Sequence, residues 1–261
     1  MHRTLILLTG ASRGFGKSLT LALSASKLVA QETDLLLTAR NSAQLEETKA
    51  EALATASSKS LHIVTHSADF TSLDLDSVCI DLFAKIPHPA TQYARVYLFN
   101  NAGSLGKLDR MRHQTTADIS PAVHLNLTAP LVLTAAFLRH FPNPTQINII
   151  NISSLAAIQA FDCWGIYSAA KAARDMYHKT IAVEEPNIRV LNYAPGPLNT
   201  DMQTRIREEM PDVPLREVYT DMHAQGKLVE PTVSAKVLIG LLEKDEYENA
   251  AHIDIYDIKG W

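Results

Sequence analysis

The chain has 261 residues, which is room for one large α/β domain and little beyond it. Apolar residues make up 46%, enough for a sizeable core, and the formal net charge of −4 gives no basis for binding nucleic acid or an acidic membrane surface. The two cysteines, Cys79 and Cys163, do not form a disulfide framework, and ten scattered histidines show no ligand spacing; a reducing, cytoplasmic setting and no metal site are expected.

Strand-like and helix-like segments alternate along the chain. Thr4–Leu8 is a short apolar β-prone run that leads into a glycine loop, too short to be a signal peptide. Lys17–Leu28 carries apolar residues at helical spacing. Leu35–Thr38 predicts a second strand, and Ala43–Ala56, rich in Glu, Ala and Leu, a surface helix. Then come a strand at Leu61–Ser67, a helix at Ser72–Lys85, a strand at Arg95–Phe99 and a long helix at Ala117–Phe137. Gln146–Ile152 is a fifth strand, Tyr167–Glu184 another long helix, Arg189–Tyr193 a sixth strand and His252–Tyr256 a last one. The apolar stretch Leu127–Leu138, broken by Thr and Pro, is shorter than the roughly 20 residues that a bilayer requires. This rhythm predicts a single Rossmann-like, doubly wound parallel sheet of about seven strands with helices on both faces, spanning residues 1–261. Residues 198–231 break the rhythm with charge, with Met202, Met210 and Met222, and with Pro211 and Pro214, and read as a helical lid over a substrate. Asn126-Leu-Thr and Asn151-Ile-Ser match the glycosylation pattern, but both asparagines have interior work to do.

On such sheets ligands bind beyond the carboxyl ends of the strands, and the chain's chemistry-bearing motifs follow strands. After the first strand comes Thr9-Gly10-Ala11-Ser12-Arg13-Gly14-Phe15-Gly16. Gly10 permits the turn out of the strand, while Gly14 and Gly16 allow backbone close to a pyrophosphate at the next helix N-terminus. Arg40 ends the second strand, where NAD-binding versions carry an acid for the ribose 2′-hydroxyl. With Arg13 it offers two guanidiniums to a 2′-phosphate, so NADP(H) is the expected cofactor. Asp69, after the third strand, serves either the adenine amino group or a turn; Asn100-Asn101-Ala102-Gly103, after the fourth, either the adenosine or the strand ends.

Ser154 follows the fifth strand, Tyr167 lies thirteen residues on, and Lys171 one helical turn beyond it. An ammonium beside a phenol favours the phenolate, so Tyr167 becomes able to protonate a carbonyl oxygen as a hydride arrives, with Ser154 polarising that oxygen. Cys163, close by, is either a reactive thiol or a small buried apolar residue.

Together these motifs, with Pro195-Gly196, resemble the short-chain dehydrogenase/reductase family over nearly the whole chain. The resemblance implies a fourth catalytic residue, Asn126, anchoring a water that relays protons to Lys171. It also implies cofactor contacts from Ser12, Phe15, Asn41, Ala68, Asn101, Pro195, Leu198, Thr200 and Met202, with Gly196 facing the substrate. It implies a homodimer through a four-helix bundle of the two long helices, which carry more apolar surface than one sheet face needs. The C-terminal Tyr256-Asp257, where many members have a Gly pair, points to the branch of the family that acts on pterins. A carboxylate at Asp257 can accept the 2-amino group and ring N–H of a pterin, and Trp164 either flanks an aromatic ring or packs in the core. The expected function is NADPH-dependent reduction of pterin side-chain carbonyls. The alternatives are a broad reductase of small dicarbonyls and a non-enzymatic NADP(H)-sensing protein.

Overall fold

The structure is a computed structural model that describes residues 3–141 and 145–260. Its centre is β1 (Arg3–Thr9), whose Ile6 and Leu8 face one side of the sheet while Leu5 and Leu7 face the other, all four fully buried. β2 (Thr33–Ala39), β3 (Leu61–Ser67), β4 (Tyr93–Asn100), β5 (Gln146–Ile152), β6 (Arg189–Ala194) and β7 (His252–Asp254) complete a seven-stranded sheet of order β3-β2-β1-β4-β5-β6-β7. Every pairing is parallel. The chain reverses direction across the sheet between β3 and β4, so the carboxyl ends of β1 and β4 diverge into a crevice.

On one face pack α1 (Gly14–Ser24) and α2 (Ser42–Thr55), with the later α9 (Pro231–Lys244); Leu19, Leu23, Leu45 and Leu238 fill that core. On the other lie α3 (Leu75–Phe83), α4 (Thr116–Val123), α5 (Ala129–His140) and α6 (Gly165–Glu184), with Leu133, Phe137 and Ile181 inward. A fully buried side chain of this kind stabilises the fold by about 2 kcal/mol. α7 (Asp201–Glu209) and α8 (Pro214–Ala224) are the helices within residues 198–231, the segment expected to be a lid, which is tied down by a bridge between Leu198 and Val229.

The boundaries differ from the sequence reading in instructive ways. α1 begins at Gly14 and stops at Ser24, short of Leu28. α3 starts only at Leu75, because Asp74 accepts the Ser77 N–H and caps it there. The long helix is not regular: a π turn at His124–Thr128 joins α4 to α5, giving 25 continuous residues, Thr116–His140. By length and apolarity it could cross a membrane. Here the apolar residues Ala129, Leu133 and Phe137 pack on the sheet, and Thr134 receives a hydrogen bond from Asn100 of β4. α6 begins two residues before Tyr167. The last strand ends at Asp254, and Ile255–Asp257 form a 3₁₀ turn in which Asp254 and Asp257 cap each other's backbone.

One row of the sheet is polar. Asn100, Asn151, Asn192 and His252 are direct neighbours on β4, β5, β6 and β7. Against this row α6 lays Arg174, Asp175 and His178 rather than leucines. Burial, reinforced by the Arg174 guanidinium, pushes His178 down from 6.5 to about 4. The unfolded chain therefore takes up this proton first as the medium is acidified. The stability that His178 contributes is complete above pH 6.5 and is lost as pH falls through about 4. Over that window the loss is about 3 kcal/mol. A His178→Gln variant should show a flatter acid arm when urea midpoints are plotted against pH; an arm as steep as the parent's would remove His178 as its cause.

Candidate active site

The glycine loop is braced from β4. Thr9 Oγ1 accepts the N–H groups of Asn101 and Ala102, both at 3.0 Å, and Asn101 Nδ2 donates to the Thr9 carbonyl at 2.9 Å. Asn101 thus fixes the strand end, the structural role left open by the sequence. Gly10 turns with φ +68°, and a Cβ on Gly16 would overlap the Gly10 carbonyl, so the strand and α1 can approach this closely only through glycine. Ser12 is half-buried in the loop, and Phe15 stacks on Tyr193 beneath it at 6.5 Å. The first turn of α1 carries no acidic side chain, so its free N–H groups and positive dipole end remain open to an anion. This cradle fits a nicotinamide cofactor's pyrophosphate.

Most of the residues expected around the cofactor's adenosine have a local task in the fold. Arg40 is exposed directly after β2. Arg13, exposed at the start of α1, pairs through Nη1 with Asp201 of the lid at 2.7 Å. Asn41 caps α2 by accepting the Gln44 N–H, and Ala68 donates its N–H to Ala39. Asp69 makes the turn: it accepts the Thr71 N–H and hydroxyl, which hold its carboxyl below the usual range.

Ser154, Tyr167 and Lys171 converge at the end of β5. Ser154 Oγ caps the short turn Leu155–Ala157 by accepting the Ala156 N–H, and Ser154 also acts on the Tyr167 phenol, favouring its ionised form. The Lys171 ammonium lies 5.4 Å from the Tyr167 ring centroid and donates to the carbonyl of Ile152. Burial is the largest influence on both groups. It pushes the Tyr167 phenol up, against the pull of Ser154 and the Arg174 charge, and it pushes Lys171 well down, with Arg174 adding and Asp175 opposing. The acidified phenol expected from the sequence is therefore corrected: desolvation outweighs charge, so Tyr167 holds its proton at neutral pH, as a proton donor must. Asn126 is buried at the centre of the π turn, and its Oδ1 accepts the Ser104 N–H at 2.8 Å.

The remaining walls come from the lid and the C-terminus. Trp164 stacks on Tyr219 of α8 (5.8 Å, 2° between planes) and meets Tyr167 edge to face at 5.7 Å. It belongs to a satellite core with Ile206, Met210 and Val213 of the lid. Tyr219 was not singled out in the sequence, although Leu215, Tyr219 and Met222 mark an inward stripe of α8. Burial pushes the Tyr219 phenol up to about 12, with Tyr167 and Tyr256 adding. Ile255 and Tyr256 also pack on Gly196, in the Pro195–Gly196 loop after β6. Asp257, next along that turn, is exposed. Leu198 and Thr200 are half-buried and Met202 is exposed at the start of the lid. Cys163 is buried, and desolvation with Asp162 beside it raises its thiol to about 11, so it is the inert alternative.

Comparison with known proteins agrees with this arrangement. The chain is 40% identical over 261 residues to the sepiapterin reductase of Bos taurus, an alignment covering 98% of this chain and 96% of that one. It is 27% identical to the benzil reductase ((S)-benzoin forming) of Bacillus cereus over 96% of this chain and 98% of that protein. The crystal structure of levodione reductase superposes with a TM-score of 0.79 at 25% identity, covering 97% of this chain and 95% of that one. The family model for short chain dehydrogenases matches residues 4–211, which include the glycine loop and the Ser154–Tyr167–Lys171 cluster. On fold, site and sequence alike, the chain belongs to the short-chain dehydrogenase family.

Proposed function

We propose that this chain uses NADPH to reduce ketones on the C6 side chain of a pterin, with sepiapterin and 6-pyruvoyl-tetrahydropterin as substrates in the last steps toward tetrahydrobiopterin. The observation that carries the reading is the convergence of Ser154, Tyr167 and Lys171 at the end of β5, with the Lys171 ammonium 5.4 Å from the Tyr167 ring and anchored on the Ile152 carbonyl. Likeness to a sepiapterin reductase over almost the full length of both chains supplies the substrate class.

Bound NADPH supplies a hydride to the carbonyl carbon. Ser154 and Tyr167 hold the carbonyl oxygen; Tyr167 passes its phenolic proton to that oxygen as it gains negative charge. Lys171 returns a proton toward the phenolate, and Asn126 holds the water that recharges Lys171 from solvent. One ketone and one proton become one alcohol, with NADPH oxidised to NADP⁺. Arg13 and Arg40 take the 2′-phosphate, Arg13 leaving Asp201 to do so, and Asn41, Ala68 and Asp69 surround the adenosine. Pro195, Leu198, Thr200 and Met202 enclose the nicotinamide end. Asp257 accepts the two-donor edge of the pterin, and Gly196 and Trp164 bound the substrate space. A broad dicarbonyl reductase is the second reading, favoured by likeness to the benzil reductase.

Tyr167→Phe should lower kcat for sepiapterin by about a thousandfold while NADPH still binds, as read by fluorescence. Asp257→Ala should raise KM for sepiapterin at least about tenfold and leave a simple diketone unaffected. Equal effects on both substrates would favour the second reading; no NADPH oxidation with any carbonyl would favour a sensing protein. Replacing Arg13 and Arg40 together by Ala should abolish the preference for NADPH over NADH in kcat/KM, and a preserved preference would place the 2′-phosphate elsewhere.

The enzyme is proposed to act as a homodimer through α4–α5 and α6. Met176 and Val183 on the outer face of α6 are 64% and 79% exposed, an apolar display with no purpose in a lone subunit. Sedimentation equilibrium should give twice the chain mass; a monomer at micromolar concentration would end that proposal.

A further inference from the structure

Arg174 is completely buried, one helical turn beyond Lys171 on the inward face of α6. Nothing in the proposed mechanism uses it. Its Nη2 donates to the carbonyl of Asn100 at 2.7 Å, while Nε and Nη1 have no protein partner. The neighbouring carboxylate is engaged elsewhere: Asp175 Oδ1 accepts from Asn151 at 2.9 Å, and Oδ2 meets His252 Nδ1 at 2.6 Å. His178, the next inward residue on the helix, bonds through Nδ1 to the Arg174 carbonyl and gives no countercharge. Arg174 is thus a desolvated cation held to the end of β4 by one bond and not neutralised by contact. Such a group is costly to keep, and in a low-dielectric interior its field reaches its neighbours strongly.

Those neighbours are the catalytic pair. The titratable groups around Arg174 are Tyr167, Lys171, Asp175 and His178 on α6 itself and His252 on β7. The facing residues of β4, β5, β6 and α5 are the neutral Asn100, Asn151, Asn192 and Thr134. We propose that Arg174 is a positioning residue for proton delivery: its buried charge makes Lys171 readier to release a proton toward Tyr167, and Asp175 opposes it from the adjacent helix position. The influences on the two groups agree in sign. Arg174 lowers both the Tyr167 phenol and the Lys171 ammonium, and Asp175 raises Lys171. This rests on the reductase reading for its consequence but not for its measurement.

Two near-isosteric variants separate the charges from the packing. Arg174→Gln keeps an N–H donor for the Asn100 carbonyl and removes the cation. Asp175→Asn keeps the shape and removes the anion. In ¹³C-lysine-labelled, cofactor-free protein, the Lys171 signal is identified by its loss in Lys171→Met. Its titration should move to higher pH by about one unit in Arg174→Gln and to lower pH in Asp175→Asn, while Arg174→Lys stays with the parent. Reduction needs the proton, so its rate falls as pH rises through the pair's apparent pKa, and this basic limb of kcat should move in the same two opposite directions. Titrations that coincide, or that shift together in both variants, overturn the proposal and leave Arg174 a packing residue. Should Arg174→Gln fail to fold, the Asp175→Asn titration decides alone, and a shift upward or none overturns it. If the parent protein does not turn over sepiapterin, the function fails while the Lys171 titration still tests the role of Arg174.

Discussion

The bond from Lys171 to the carbonyl of Ile152 joins the inward face of α6 to the end of β5, and much of the molecule is arranged around it. An ammonium this deeply buried must be paired with something polar. The carbonyl that receives it belongs to the last residue of β5. That one contact sets the helix at the height at which Tyr167 meets Ser154, and it places the next turn of the helix, Arg174 and Asp175, against the sheet. The polar row Asn100, Asn151, Asn192 and His252 is the sheet's answer to that charged face. A leucine-lined sheet would have left Asp175 without partners.

The same logic explains the π turn. A regular helix from Thr116 to His140 would carry one fewer residue per turn at Asn126. The wider turn lets the buried Asn126 side chain accept from the Ser104 backbone, closing the gap between the long helix and the loop after β4. Asn101, four residues upstream of Leu105, holds that loop to the glycine turn through Thr9. The glycine loop, through Thr9 and Asn101, and α6, through Arg174 and the Asn100 carbonyl, are therefore both bonded to the end of β4.

The lid is built differently. It meets the frame through aromatic packing of Tyr219 on Trp164 and through the exposed Arg13–Asp201 pair. Exposed ion pairs contribute little to stability, so the packing of Trp164, Ile206, Met210 and Tyr219 holds the lid, and the ion pair can open at small cost.

Sequence by itself determined the strand–helix alternation, because buried parallel strands need continuous apolar runs and β1, β2 and β4 have them. It also determined the glycine loop and the Tyr167–Lys171 spacing, since a tight turn and a shared helix face are local demands that a few residues satisfy alone. Only the tertiary structure decided the rest. The charge state of Tyr167 depends on desolvation by residues distant in the chain, so the spacing to Lys171 suggested the wrong sign. Trp164 gained its partner from a helix 55 residues away, Asp69 and Asn41 also make a local turn and a cap, and Asp175 found its partners only because neighbouring strands present polar side chains at one register. Periodicity reports which face of an element is inward; what that face meets is set by packing between elements, which no window of sequence contains.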